Sequence, residues 1–259
     1  MKNIKRRKFI TSAFGVFGLL NLSFTGTNPP YIKTNQSDKS GRTITLKGKQ
    51  DSRVTHWDII TIGNLSRVRY WGESDERPVR KAICTCTVIS GNDFHLLVDP
   101  SLADEAAMIT ELDRRTGLKP DDIDMVFITH QHGDHYFGLK HFPKARWLAG
   151  AEVAAGLNIS ARLPKQVEPS GNILFDTIDV IPTPGHTPDH QSLRFDYRGL
   201  SVVIAGDSVA TKDFWDDRRG YYNVRDEEES KRSMEKINSI ADIIVPGHDN
   251  GFFVNTQVV

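Results

Sequence analysis

The sequence predicts an α/β domain over residues 54–259. From about residue 54 onward, short apolar runs alternate with stretches of helical periodicity, which is typical of α/β proteins. The chain has 259 residues, of which 38% are hydrophobic and 25% are charged. This length and composition fit one large domain that buries a full core without disulfides.

Strands are predicted first at residues 58–62, 84–90 and 94–98, and Gly91-Asn92-Asp93 is a hairpin signal between the last two. Residues 102–116 show helical spacing of Ala, Met, Ile and Leu. Gly117, followed by Pro120, is the expected end of that helix. A short buried strand is then predicted at 125–129.

The second half of the domain is predicted to continue with strands at 146–148, 173–175, 178–182, 192–197, 200–205 and 243–245. Arg198-Gly199 provides the turn between the fourth and fifth of these. A helix is predicted at 226–240. The acidic residues at its start interact favourably with the positive end of the helix dipole.

Residues 1–27 are expected to be an export signal. Lys5-Arg6-Arg7-Lys8 is basic, and the apolar stretch at 9–22 is too short to span a bilayer comfortably. Arg6-Arg7-Lys8-Phe9-Ile10 resembles the bacterial twin-arginine signal, so we expect a periplasmic protein. Because a small-residue cleavage signal is missing, an uncleaved N-terminal anchor stays open as an alternative. Residues 28–53 are predicted to be a polar lead-in or linker.

The charge balance argues against two classes of partner. Basic and acidic residues both number 33, so the formal net charge is zero. Such a chain has no general electrostatic attraction to nucleic acid or to an anionic membrane surface. We therefore expect a small-molecule substrate, no nucleic-acid partner, and no membrane partner apart from an N-terminal anchor.

Two cysteines, Cys84 and Cys86, are the only ones in the chain. They lie two residues apart in a strand-like run, and a disulfide between them would strain the local chain. We expect two free, largely buried thiols. A metal site of the C-x-C type is the alternative.

Seven metal-ligand side chains lie in four segments, each of which follows a short apolar run and places a ligand beside glycine. They occur in the segments Thr129-His130-Gln131-His132-Gly133-Asp134-His135, Pro184-Gly185-His186, Gly206-Asp207 and Pro246-Gly247-His248. Five imidazoles and two carboxylates are enough for two divalent ions. His130 and His132 are spaced to share one ion, and Asp207 is a candidate bridge between the two. These ligands suit Zn²⁺ first, and also Fe, Mn or Co.

The first segment resembles the H-x-H-x-D-H signature of the metallo-β-lactamase superfamily, and the other three follow in that family's order. The resemblance covers roughly residues 55–255 and implies an αββα four-layer sandwich with its site at one rim. It implies one ion at His130, His132 and His186, a second at Asp134, His135 and His248, and Asp207 between them. It also implies that Asp99 supports the histidine loop, although Asp99-Pro100-Ser101 stands where relatives commonly read D-T-G.

Residues 183–193 and 205–214 and the run Gly247-His248-Asp249 are similar to the N-acyl-homoserine lactonases of this superfamily. The resemblance implies that a hydroxide formed between two ions opens a lactone or cleaves a related ester. Asp134 would then carry a proton to the leaving group. Thioester hydrolysis of the glyoxalase II kind, β-lactam hydrolysis and a non-catalytic metal-binding role are the alternatives.

One departure from the lactonases concerns a tyrosine that they usually carry shortly after the bridging aspartate. Val209 and Ala210 occupy that neighbourhood here, and Tyr221 or Tyr222 is the candidate replacement. His190, four residues after His186, is expected to orient a ligand or a turn from outside the metal centre.

Overall fold

The computed structural model describes residues 46–49, 51–74 and 76–254, together with the course of two short strands, β1 (Gln36–Ser37) and β2 (Thr43–Ile44). The chain divides into two units, residues 1–36 and 37–259. The export signal predicted for residues 1–27 lies outside the described residues and stays a prediction. Among the described residues, no helix combines the length and the apolar character needed to cross a bilayer.

Two six-stranded sheets make up the framework. The first holds its strands side by side in chain order: β3 (Val54–Thr61), β4 (Cys86–Gly91), β5 (His95–Val98), β6 (Met125–Ile128), β7 (Arg146–Ala149) and β8 (Glu168–Pro169). The second does the same: β9 (Ile173–Leu174), β10 (Ile178–Pro182), β11 (Gln191–Tyr197), β12 (Leu200–Gly206), β13 (Ile243–Pro246) and β14 (Phe252–Phe253). In the first sheet β5 to β8 run parallel, and in the second β12 and β13 are parallel neighbours.

The central strand β6 is apolar along its whole length because both of its faces are covered. In β6, Met125 and Phe127 pack into the layer between the two sheets. Val126 and Ile128, on the opposite face, pack in the cluster that lies under the helices of the first sheet. The strand β12 shows the same division, since Val202 and Ile204 face the other sheet and Val203 and Ala205 do not.

Helices cover the outer face of each sheet. Helices α1 (Glu105–Thr116) and α3 (Ala151–Ser160) contribute Met108, Leu112, Val153 and Leu157 to the cluster on the first sheet. The long helix α5 (Glu227–Ile240) packs Met234 and Ile237 against the second sheet. The succession of helix, sheet, sheet and helix confirms the predicted αββα sandwich. Two short helices, α2 (Gly133–Tyr136) and α4 (Lys212–Asp216), lie in the connecting segments.

Most predicted elements are present, and the differences are at weakly patterned segments. Helix α1 ends at Gly117, as expected, and begins after Asp104, whose carboxylate accepts a hydrogen bond from the Ala107 amide. Helix α3 was not predicted. Its N-cap is Gly150, which offers no capping side chain, and Gly156 lies in its middle, so it lacks the usual start signal and has a weak interior.

Part of the predicted lead-in contacts the domain through Asp242. This carboxylate is buried, and its Oδ2 accepts the Lys47 amide at 2.9 Å and the Ser201 amide at 2.8 Å. The Lys47 ammonium donates to the carbonyls of Asn238 and Ala241, at the C-terminal end of α5. A cation there stabilises the negative end of the helix dipole. Residues 46–49 are therefore held on the second sheet and its helix.

Asp242→Ala should lower the free energy of unfolding by about 1–3 kcal/mol, because the buried Ser201 amide and the partly buried Lys47 amide lose a charged acceptor. Equilibrium unfolding in urea measures this change. Asp121→Ala is the matched control, because the Asp121 carboxylate pairs with Lys144 at the surface, where ion pairs contribute about 0–1 kcal/mol. Equal losses of stability in the two variants would contradict the role given to Asp242.

Candidate metal centre

Four turns at one end of the sandwich bring the seven predicted side chains together. Each turn follows a central strand: β6 leads to the segment from His130 to His135, β10 to His186, β12 to Asp207 and β13 to His248. Strand ends at a common edge of a sheet commonly build such sites, because the following turns are free of the sheet's hydrogen bonds.

The first group consists of His130, His132, His186 and Asp207, which offer one ligand atom each, with all four atoms within 4.8 Å of one another. His186 Nε2 lies 2.9 Å from His132 Nδ1 and 3.2 Å from Asp207 Oδ2. His130 Nε2 lies 3.8 Å from the same Asp207 oxygen. His130 and His186 therefore face the same carboxylate oxygen, and His132 lies beside His186.

The second group consists of Asp134, His135 and His248, whose ligand atoms also lie within 4.8 Å of one another. His248 Nε2 lies 3.5 Å from Asp134 Oδ2. The other oxygen of Asp207, Oδ1, lies 3.2 Å from His135 Nε2 and 3.2 Å from His248 Nε2. Asp207 thus stands between the two groups and turns one oxygen toward each.

These distances fit a pair of metal ions. Tetrahedral ligands at about 2.0–2.1 Å from one ion are roughly 3.3 Å apart, and the separations given above scatter around that value. His130 Nε2, His135 Nε2 and Asp207 Oδ1 are buried and have no hydrogen-bond partner within the part of the chain that the structure describes. Buried polar atoms are normally satisfied, so these atoms are suited to metal coordination.

Asp99 and Thr129 hold two of the histidines in place. Asp99 Oδ1 accepts the Thr129 amide at 2.9 Å, and Oδ2 accepts the Thr129 hydroxyl at 2.8 Å. His135 Nδ1 lies 2.8 Å from the same Oδ2, and a carboxylate only accepts, so Nδ1 is the donor. The Thr129 hydrogen is used on Asp99, so His130 Nδ1, at 3.1 Å, donates to the Thr129 oxygen. Metal binding requires the neutral form of each ring, and in that form Nε2 is left with a lone pair for an ion.

His248 is oriented by two backbone carbonyls. Its Nδ1 lies 3.1 Å from the Asn64 oxygen and 3.0 Å from the Ile83 oxygen. Carbonyl oxygens only accept, so Nδ1 carries a hydrogen, and in the neutral ring that metal binding requires the Nε2 lone pair faces Asp207. Asn64 and Ile83 also pair with each other in an isolated antiparallel bridge. Sequence reasoning missed these two residues, since their contribution is from the backbone and leaves no signal in residue type.

Burial and neighbouring charge set the pKa values of the histidines. Burial lowers the pKa of His130 well below its usual range and lowers the pKa of His132. Burial alone would also lower the pKa of His248, but the Asp207 carboxylate outweighs it and raises that pKa. Burial alone would also lower the pKa of His135, but the Asp207 and Asp99 carboxylates outweigh it and raise that pKa well above its ordinary value.

Asp207 keeps its charge in spite of burial. Burial alone would raise its pKa, but the neighbouring imidazoles of His248, His135 and His186 hold the pKa well below its usual range. The centre is therefore built around an ionised carboxylate enclosed by imidazoles, which is a charge distribution that a divalent cation stabilises.

Both cysteines are free and buried, as predicted. The Cys84 thiol donates to the Asp99 carbonyl at 3.3 Å and lies beside His135, with which it could form a small ligand group together with Asp99. Cys86 packs instead in the apolar cluster of the first sheet. Burial raises the pKa of Cys84 to about 12, so the thiol stays protonated near neutral pH.

The segment after Asp207 is apolar where lactonases carry their tyrosine. Val209 and Ala210 are buried. Tyr221, one of the two candidate replacements, is buried in an aromatic cluster with Phe214. Its hydroxyl lies 3.2 Å from the Ser66 hydroxyl and donates to the Arg67 carbonyl at 3.4 Å. The Tyr221 hydroxyl is therefore engaged with the segment at residues 66–67.

A family model for the metallo-beta-lactamase superfamily matches residues 79–248, a stretch that contains all seven candidate ligands. The chain is 32% identical to metallo-beta-lactamase domain-containing protein 1 of Rattus norvegicus over 158 residues, which is 55% of this chain and 57% of that protein. The chain thus spans little more than half the length of this relative. It is 26% identical to the N-acyl homoserine lactonase of Bacillus cereus over 213 residues, covering 73% of this chain and 85% of the lactonase.

A solved structure of an N-acyl homoserine lactone hydrolase, with the product N-hexanoyl-L-homoserine bound at its catalytic metal center, has the same fold. It matches with a TM-score of 0.59 and 20% identity, over 76% of this chain and 94% of that one. The match to the family model, together with this fold, places the chain in the metallo-beta-lactamase superfamily of metal-dependent hydrolases.

Proposed function

We propose that the centre binds two divalent metal ions and that the protein opens a lactone or cleaves a related ester. His130, His132 and His186 would hold the first ion, Asp134, His135 and His248 the second, and Asp207 both. The observation that carries this proposal is the position of Asp207, whose two oxygens each face a separate group of imidazoles at 3.2 Å. A carboxylate in that position holds paired ions close together in hydrolases.

Bound ions would supply an activated water molecule and would polarise the substrate oxygen. Asp134 is the residue of the centre best placed to move a proton. Its side chain is 15% exposed, whereas that of Asp207 is 5% exposed and enclosed by histidines. We assign to the Asp134 carboxylate the transfer of a proton to the leaving oxygen, in addition to its role as a ligand. Asp207 has both oxygens directed at ligand nitrogens and serves to hold the centre together.

The substrate class is proposed from the lactonase relative and from the position of Asp207. The match to the Bacillus cereus lactonase covers 85% of that protein. Asp207 stands where the commonest β-lactamase class has a cysteine ligand, which favours lactones over β-lactams. Because Val209 and Ala210 replace the lactonase tyrosine, the substrate carbonyl must find another donor. Zn²⁺ is the proposed metal, since imidazole and carboxylate are its common ligands.

Removing the metal should abolish hydrolysis. We expect elemental analysis of the purified protein to find two equivalents of divalent metal. We also expect hydrolysis of a lactone in a panel that includes a thioester, a β-lactam and a phosphodiester. Treatment with a chelator should remove both the metal and the activity, and added Zn²⁺ should restore them. Full turnover by metal-free protein would contradict the mechanism, and metal-loaded protein inactive on the whole panel would favour a binding role.

His132→Ala should lose metal and activity together. The loss of activity should exceed the roughly 10- to 100-fold effect that follows removal of a residue supporting a ligand. His56→Ala is the matched control, because His56 is an exposed histidine on β3 with a 59% exposed side chain. Metal content is measured on both variants by elemental analysis. An unchanged metal content in His132→Ala would remove His132 from the ligand set.

A further inference from the structure

His190 lies against the metal centre but outside both ligand groups. It is only 1% exposed, and its ring centroid lies 5.0 Å from that of His130 and 6.3 Å from that of His186. His190 follows His186 in the connection between β10 and β11, and its amide donates to the Thr187 carbonyl. The imidazole is buried this near the centre although none of its atoms takes part in either ligand group.

A chain of hydroxyl groups determines which nitrogen of His190 carries the hydrogen. Ser192 Oγ donates to the Ala205 carbonyl at 3.1 Å, and that carbonyl has no hydrogen to give. The single Ser192 hydrogen is thus used, so Thr183 Oγ1, at 2.7 Å, must donate to Ser192. The Thr183 hydrogen is then used as well, so His190 Nδ1, at 2.9 Å, must donate to Thr183. The neutral ring therefore has its hydrogen on Nδ1 and a lone pair on Nε2.

The Nε2 edge of the ring faces the turn that carries Asp207. His190 Nε2 is buried without a hydrogen-bond partner among the described residues. A side-chain carbon built on Gly206 would lie 2.8 Å from this nitrogen and 2.9 Å from Thr129 Oγ1. Gly206 has a φ of 51°, a backbone conformation that favours glycine, and it directly precedes Asp207. The ring of His190 thus fills the space beside Gly206 and packs against the turn that carries Asp207.

We propose that His190 is a positioning residue of the metal centre, held by Thr183 and Ser192 so that its ring packs between the His130 ring and the Gly206–Asp207 turn. The inference rests on the proposed function, because its effect is exerted on metal binding. With the hydrogen on Nε2 instead, the bare Nδ1 would face the Thr183 oxygen lone pairs, and the ring would be pushed out of place. By fixing the His190 ring, the hydroxyls of Thr183 and Ser192 set the positions of two ligands. His130 lies against one side of the ring, and the turn with Asp207 lies against another.

His190→Phe tests the role of the two nitrogens, since phenylalanine keeps a ring of similar size. We expect Zn²⁺ affinity, measured by competition with a chromophoric chelator, to fall on the order of 10- to 100-fold. The visible absorption spectrum of Co²⁺-loaded protein should change as well. His141→Phe is the matched control, because His141 is also buried and bonds the Ala103 carbonyl through Nε2, away from the centre. It should leave the Zn²⁺ affinity and the Co²⁺ spectrum as in the unaltered protein.

Thr183→Val and Thr183→Ser form a second pair that does not alter the imidazole. Valine removes the acceptor for Nδ1, so Zn²⁺ affinity should fall and the Co²⁺ spectrum should shift in the direction seen with His190→Phe. Serine retains the hydroxyl, so it should preserve both. A purely structural role would lower the stability of the chelator-treated protein in Thr183→Val without moving the Co²⁺ spectrum.

The outcomes separate this inference from the proposed function. If the unaltered protein binds no Zn²⁺, the proposed function fails and the inference falls with it. If the unaltered protein binds two equivalents while His190→Phe keeps the same affinity and spectrum, the inference alone is overturned. Should His190→Phe fail to fold, the Thr183 pair decides, and equal Zn²⁺ affinities of its two members would overturn the inference.

Discussion

The rest of the centre depends on a single buried carboxylate. An ionised Asp207 at 5% exposure is costly to bury unless nearby groups compensate its charge. Imidazoles from the three other turns lie around it, which is why turns from both sheets must reach one point. Close packing at that point leaves room only for glycine beside it, since a side-chain carbon on Gly247 would lie 2.0 Å from Asp207 Oδ1. Gly247 is thus a consequence of the carboxylate's position.

A second layer of contacts directs the ring nitrogens. The Asp99 carboxylate, the Thr129 hydroxyl and the carbonyls of Asn64 and Ile83 all take up Nδ1 hydrogens of candidate ligands. Each contact leaves an Nε2 lone pair facing the centre, which is the form that a metal ion needs. Asp99 has a φ of 52°, an uncommon conformation for a residue other than glycine. Such local strain is retained when the surrounding contacts outweigh it, as the three hydrogen bonds to this carboxylate do.

The sandwich explains how segments far apart in the chain meet. The parallel strands β12 and β13 place the turns with Asp207 and His248 next to each other, although α5 lies between them in sequence. The amide of Gln191, at the start of β11, donates to the Thr129 carbonyl, which ties the second sheet to the turn after β6. The apolar layer between the sheets then holds both halves of the centre in register. Rigid strands with ligands only in the turns suit a site that must keep several atoms within hydrogen-bonding distance.

Local pattern was sufficient for most strands, for helices α1 and α5, and for the candidate ligands. Those features follow from hydrophobic periodicity, capping residues and the chemistry of histidine and aspartate, which can all be recognised in short segments of the sequence. The helix α3 and the short strands β8 and β14 were beyond such reasoning, because their stability comes from packing and edge pairing more than from local preference. The sequence by itself determined which side chains are able to bind metal and in which turns they stand. Only the tertiary structure decided that Asp207 turns one oxygen to each group, that two carbonyls orient His248, and that His190 packs against the metal centre. Distances between segments more than fifty residues apart depend on how the sheets pack, and no local pattern encodes them.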